Sequence, residues 1–404
     1  MTSLQREWAR KSVSALLQVA MAVCLPLALV VRGGFFLIRI PRISYWTGTP
    51  ILTLSQKAAS ERLLGERAMV VVRATNRITQ NFDVVLARWC LGTNWLLYPL
   101  SGLAFLFMLC TASRVHTFAD GGILPSVRKG HIASLELWAY RLLGIPLMVW
   151  MYGADVRTRE CTLKLGQYNC CTDCTQVGSA CVCDSSAGAA NIARLRANHA
   201  ILFSMGDMIE YTPGSRNDLF YWPLDIQGVH SAMPVHGESN RNSHCKLRVV
   251  HAPNHREFKG TRYLEDAMNA LQKEGVAIEL VLVEKLPNHE ALEVYRTADV
   301  IFDQCLIGFH GYFALEAMAL GKAVMCYIRK PEEYLLYPQE CPIINTNVDT
   351  LQEDLRRLAA SREELETIGR RGRQYVERHY SREAFAGRLR RAYIDLGILP
   401  EEQT

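Results

Sequence analysis

The chain has 404 residues, enough for two domains of ordinary size, each with its own core. A hydrophobic share of 49% with 21% charged residues excludes a disordered chain, and a net charge of +5 is too mild to argue for a nucleic-acid binder. The densest basic stretch, residues 370–393, is interrupted by glutamates and reads as a solvated helix face, with an acidic membrane surface as the other partner it suits.

From the N-terminus, the first element is an apolar run from Ala15 to Val31, broken in polarity only by Gln18. No small-residue cleavage site follows it, so it does not read as a removable signal. Its length sits at the lower edge of a bilayer span, and Arg32, Arg39 and Arg42 on its far side oppose the usual charge asymmetry of a span with a cytoplasmic body. The expectation is a helix embedded in, or lying on, the inner face of a membrane, with a single span as the close alternative. A second apolar run, residues 94–110, contains Pro99 and Gly102 and reads as a core helix with one face open to lipid.

After Pro41, short apolar runs alternate with amphipathic ones. Residues 43–46, 68–73, 82–87, 114–118, 147–152 and 200–204 read as strands covered on both faces, because they are β-branched and aromatic without strict alternation. Prolines, glycines and polar residues break the pattern over 212–243. A second series then places strands at 246–253, 276–285, 299–304 and 322–328, followed mainly by helix. Strand–helix alternation of this kind means α/β, with two Rossmann-like domains. The boundaries are a membrane-associated segment over 1–41 and a first domain over 42–211. A linker over 212–245, a second domain over 246–380 and a C-terminal helix and tail over 381–404 complete the chain.

Ligands of such sheets bind beyond the carboxyl ends of the strands, where helix N-termini offer free N–H groups. "HAPNHREFKGT" places Arg256, Lys259 and Gly260 in such a loop, two cations suited to a diphosphate. "DQCLIGFHGYFALEAMALGKAV" places His310 and Gly311 in another, with Glu316 in the helix that follows. A carboxylate there suits two adjacent ribose hydroxyls.

These segments resemble the C-terminal domain of GT-B glycosyltransferases that use nucleotide-sugar donors, the group 1-like members in particular. "LEAMALGKAV" is similar to their EAMA-x-G-x-PV signature, with Ala323 where proline is common, and the likeness covers about residues 246–330. The resemblance implies two Rossmann-like domains facing each other across a cleft. It assigns Glu316 to the donor ribose and Lys259, with Arg256, to the diphosphate, and it makes a UDP- or GDP-sugar the substrate. Many retaining members carry a further glutamate eight positions earlier, which contacts the sugar; here that position is Gly308. Retention of configuration is implied by the resemblance alone.

In the first domain, "WTGTPI" resembles the family's first strand and glycine turn, and "YGADVR" resembles a related HGSDVR turn with Tyr152 in place of histidine. The candidates here are His116 as a general base and Asp155 and Arg157 as positioning groups. No Asp-x-Asp motif is present and no catalytic divalent ion is expected.

Between residues 161 and 184 stand Cys161, Cys170, Cys171, Cys174, Cys181 and Cys183, read as an insertion in the first domain. Thiolates this dense suit a structural zinc formed from Cys170, Cys171, Cys174, Cys181 and Cys183, or else an iron–sulfur cluster. Cys24, Cys90, Cys110, Cys245, Cys305, Cys326 and Cys341 are scattered singly, as buried thiols of a reducing compartment would be. Together these readings describe a glycosyltransferase on the cytoplasmic face of the inner membrane, moving a sugar to a lipid-linked or glycan acceptor in cell-surface polysaccharide assembly. A nucleotide-sugar epimerase and a non-catalytic scaffold on the same fold are the rival readings, and a metal-cluster redox protein is a third.

Overall fold

The apolar runs after Pro41 pair into two parallel sheets. In the computed structural model, which describes residues 3–76, 79–90, 92–179, 181–218, 222–231 and 246–401, the first sheet holds β1 (Ile43–Thr47), β2 (Ala68–Val72) and β3 (Val84–Val85). It continues with β4 (Ala112–Phe118), β5 (Leu147–Trp150) and β6 (Ile201–Phe203). Their order is β3-β2-β1-β4-β5-β6. The second sheet holds β7 (Leu247–His251), β8 (Ile278–Leu282), β9 (Val300–Gln304), β10 (Ala323–Cys326) and β11 (Ile344–Asn345), in the order β11-β10-β9-β7-β8. Each sheet therefore has a switch point, between β1 and β4 in the first and between β7 and β9 in the second. A crevice opens at such a point because the connections leave toward opposite sides.

Two expectations at the strand level are corrected. The run 82–87 pairs only at Val84–Val85 before turning into a 3₁₀ helix, Leu86–Trp89. The two-residue β11 lies in a stretch read as helical, too short for any periodicity to register.

The chain divides into two compact units: 1–158, 178–220 and 386–404 form one, and 159–177 with 221–385 the other. This departs from a single boundary near 212–245. Half of that linker, including Cys245, lies outside the described residues. The cysteine-rich stretch is not an insertion of the first domain alone, because Arg159–Val177 belongs to the second unit. There Cys170 is buried among Leu247, Leu264, Leu306 and Leu351, and Tyr263 Oη donates to Asp173 at 2.8 Å. From Ala386 onward the last helix (Arg382–Asp395) belongs to the first unit, where the Tyr393 hydroxyl donates to Glu61 at 2.6 Å.

The N-terminal helix α1 (Ser3–Leu37) is longer than the apolar run that announced it. It packs along α3 (Leu97–Thr111), which follows α2 (Leu52–Arg62) in the chain and precedes α4 (Ser134–Leu142). Polar side chains tie α1 down along its length. Arg10 donates to the carbonyls of Ser126 and Val127 at 2.8 and 3.0 Å, and Gln18 donates to that of Pro125 at 3.2 Å. Arg32 donates to the carbonyls of Leu109 and Ala112 at 2.8 and 3.0 Å. Leu25 and Ala28 face inward, whereas Leu16, Val19, Val23, Leu27 and Val30 are exposed at helical spacing. Leu103 and Phe107 of α3, with Trp138 and Leu142 of α4, are exposed as well.

Candidate functional site

At the switch point of the second sheet, the short helix Arg256–Lys259 follows β7, and Gly260 in the left-handed region (φ 75°) joins it to the helix Thr261–Lys273. A Cβ on Gly260 would lie 2.4 Å from Cys305 Sγ, so only glycine lets this turn meet the end of β9. Lys259 is thereby carried inward, nine-tenths buried, with Nζ 2.5 Å from Asp303 Oδ1. The other carboxylate oxygen of Asp303 accepts the N–H of Gly311 at 2.6 Å. Burial works to raise the pKa of Asp303, but Lys259 and that N–H outweigh it and hold the group below its usual value. A Cβ on Gly311 would lie 3.2 Å from Lys259 Nζ, so the ammonium rests against the start of the helix Tyr312–Ala319.

Glu316 stands five residues beyond Gly311, an axial rise of about 7.5 Å along a helix. That is comparable to the reach from the ribose hydroxyls of a nucleoside diphosphate to its far phosphate. Glu316 is buried and accepts one hydrogen bond, from Asn288 Nδ2 at 2.8 Å. Burial pushes its pKa up to about 7, against the small opposing effect of Asn288. His310 is also buried; burial lowers its pKa to about 4, leaving a neutral ring whose Nε2 lies 3.4 Å from Tyr380 Oη.

Arg256 is not gathered into this cluster. Its guanidinium binds Glu284 through Nε and Nη2 at 2.9 and 2.8 Å and pairs with Glu265 at 3.3 Å, on an exposed surface. Two acids match its charge on that surface, so the structure does not bring it together with Lys259. Gly260 serves the turn sterically.

The first unit carries its own polar cluster at the β1–β4 switch point. Gly48 (φ 104°) follows β1, and a Cβ there would lie 2.7 Å from Thr117 Oγ1 and 2.9 Å from the Gly121 carbonyl oxygen. That close approach sets Thr49 Oγ1 to donate to Asp120 at 2.8 Å, while Tyr152 Oη donates to Asp120 at 2.7 Å. Asp155 accepts the backbone N–H groups of Tyr152 and Gly153 at 3.0 and 2.9 Å. Burial first, then the charge of Asp120, push Asp155 up to about 7, and burial raises Asp120 also. Lys57 on α2 lies 4.3 Å over the Trp150 ring, and burial lowers its pKa to about 7. Sequence reasoning singled out Asp155 here but missed Asp120 and Lys57. The strand-end position of "HTFADGG" is the signal for Asp120; nothing in the local pattern distinguishes Lys57.

His116 is corrected to a core residue. Its ring stacks on Trp46 at 3.8 Å, its Nδ1 accepts from Trp150 Nε1 at 3.0 Å, and its Nε2 lies 3.0 Å from Tyr393 Oη. Burial, with help from Arg114 and Lys57, holds its pKa well below the usual value, so neither nitrogen is free to take a substrate proton. Arg157 is corrected too. It pairs bidentately with Asp207, both bonds 2.9 Å, and a Cβ on Gly153 would lie 2.6 Å from its Nη1. The guanidinium braces the "YGADVR" turn by that pairing, not by binding Asp155.

Among the described residues no three His, Cys, Asp or Glu side chains gather as a metal site. Of the proposed ligands, Cys170 is buried in the apolar core of the second unit, where a thiolate finds no metal-binding company among the described residues. Cys183 Sγ instead accepts the N–H of Gly178 at 3.2 Å.

No family model matches the chain, and no curated protein matches it in sequence. Solved structures do match its fold. An alpha-glucosyltransferase in complex with UDP and a 13-mer DNA containing an HMU base superposes with a TM-score of 0.53 at 11% identity, covering 88% of this chain and 99% of that one. Anabaena HepE in complex with UDP-glucose gives 0.52 at 11% identity, again covering 88% of this chain and 99% of that one. The sucrose-phosphate synthase of Thermosynechococcus elongatus gives 0.51 at 12% identity with the same coverages, 88% and 99%.

The chain has the GT-B fold.

Within the GT-B fold each Rossmann-like unit here presents polar groups, side chains and one backbone N–H, at its own switch point. In the second they are Lys259, Asp303, Gly311 and Glu316; in the first, Asp120, Asp155 and Lys57. Asp303 is a sequence candidate for contacting the sugar in place of the glutamate absent at 308, but its pairing with Lys259, like that of Asn288 with Glu316, is not legible there, since each joins segments far apart in the chain.

Proposed function

We propose that this protein transfers a sugar from a UDP- or GDP-sugar to an acceptor hydroxyl. The observation that supports this reading is the arrangement along one helix of the second unit: an ammonium at its N-terminus and a carboxylate in its second turn, spaced for a nucleoside diphosphate. Lys259, already neutralised on one side by Asp303, has further N–H donors for a phosphate, and the helix N-terminus adds partial positive charge. These stabilise the departing diphosphate without covalent help. Glu316 holds the ribose hydroxyls. The acceptor falls to the first unit, where Asp155, raised by burial and by the charge of Asp120, and Asp120, raised by burial, are placed to take a hydroxyl proton.

The acceptor is lipid-linked or a glycan, and the protein works at the cytoplasmic face of the inner membrane in cell-surface polysaccharide assembly. The support is the apolar outer face of α1, continued by Leu103, Phe107 and Trp138. A helix tied to its own unit through Arg10, Gln18 and Arg32 suits attachment in the membrane plane better than a free transverse span. Retention of configuration is the stereochemistry the resemblance implies, and NMR of the first-formed product anomer reads it.

Thermal-shift titration with UDP-sugars and GDP-sugars tests the donor site. One nucleotide class stabilises the wild type, and Glu316→Ala moves the response to about 10–100-fold higher nucleotide. A wild type indifferent to every nucleotide overturns the reading.

A further inference from the structure

The loop between β9 and the helix Tyr312–Ala319 is held from within by a single side chain. Gln304 accepts the N–H groups of Leu306 and Ile307 at 2.7 and 2.6 Å, and donates to the carbonyls of Phe309 and Tyr327 at 3.2 and 2.7 Å. Both ends of its amide are used, so the loop is set before a ligand arrives. Gly308 in this loop has φ 90°, and a Cβ there would lie 2.6 Å from Arg329 Cζ. The Arg329 guanidinium thus occupies the space that a side chain at 308 would fill.

Arg329 is held in place but not neutralised. Its backbone N–H donates to the Gly308 carbonyl at 3.0 Å, and Nη2 donates to the carbonyls of Ile307 and Tyr168 at 3.1 and 3.3 Å. Nε and Nη1 are buried and meet no acceptor among the described residues, where no carboxylate pairs with the guanidinium. Buried donors left bare carry a desolvation cost that an arriving anion removes. The phosphates of a bound donor already have Lys259 and the helix N-terminus, three residues further along the loop. A cation at Gly308 therefore meets the part of the donor beyond the phosphates, the sugar.

We propose that Arg329 binds a carboxylate on the donor sugar, so that the substrate is a nucleotide-activated uronic acid. This rests on the nucleotide-sugar reading above. The test is calorimetric titration of the full-length protein in detergent with UDP, UDP-glucose and UDP-glucuronate, and with GDP, GDP-mannose and GDP-mannuronate. On the nucleotide it recognises, the wild type binds the uronate at least tenfold more tightly than the neutral sugar. Arg329→Met brings the two within about twofold and leaves the free nucleotide unchanged, and Arg329→Lys keeps part of the preference. Equal binding of acidic and neutral sugars by the wild type overturns the proposal whatever the variants do. Arg329→Met weakening the free nucleotide as much as the sugars also overturns it, by assigning the guanidinium to the diphosphate. Binding of no nucleotide at all is a separate result, which sinks the donor reading itself.

Discussion

Glu316 carries a proton through half of the neutral range because water is excluded from it and only Asn288 donates to it. Ribose hydroxyls that donate to the carboxylate favour its charged form and lower its pKa on binding. Nucleotide affinity therefore rises with pH up to about 7, where the carboxyl of the free protein titrates, and is flat above it. Calorimetry in buffers of different ionisation enthalpy reads the accompanying proton release at pH 7, and Glu316→Gln removes both effects. The stability sign is opposite. A carboxyl whose folded pKa lies above its unfolded value of 4.5 costs stability progressively as pH rises from there to about 7. Glu316→Ala weakens nucleotide binding by about 10–100-fold, the range expected for losing hydrogen bonds to a charged group. Asp120→Asn tests the other unit: kcat falls at least tenfold while donor affinity, held elsewhere, stays within about twofold. Equal loss of both would remove Asp120 from the acceptor side.

At the scale of elements, close packing singles out two glycines. Gly102 on α3 faces α1, where a Cβ would lie 2.8 Å from Met21 Sδ and 3.1 Å from Leu17 Cδ1. Those are flexible side chains, so alanine is tolerated, whereas Gly102→Val pushes the helices apart. Gly369, on the helix Arg362–His379, is stricter: a Cβ would lie 2.0 Å from the Gly321 carbonyl oxygen, which is backbone. Gly369→Ala is expected to cost about 1–3 kcal/mol or more, as overpacking does, and chemical denaturation of the second unit reads it. Neither contact is legible in sequence. The elements themselves largely are: β1, β2, β4, β7 and β9 fall where apolar β-branched runs place them. The shortfalls came where pattern is thin. Val84–Val85 and Ile344–Asn345 are strands of two residues, formed because a neighbouring strand offers a free edge.

For the whole molecule, the exposed face of α1 with its neighbours predicts an attachment dominated by apolar burial. The protein should float with lipid vesicles and stay bound at about 1 M salt, where exposed charge interactions are screened within about 3 Å. Removing residues 3–37 should release it, and release of the intact protein by salt alone would point to the basic C-terminal stretch instead. The sequence by itself determined the fold class, the two strand series and the helix that bears Glu316, because these follow from local periodicity and from one short contiguous motif. Tertiary structure alone decided that Lys259 meets Asp303, that Arg256 and Arg157 already have carboxylate partners, and that His116 lies in a core. It also divided the cysteine-rich stretch between the units. The reason is physical: a charge, a thiol or an imidazole acquires its role from what surrounds it, and those surroundings come from loops that only the folded chain brings together.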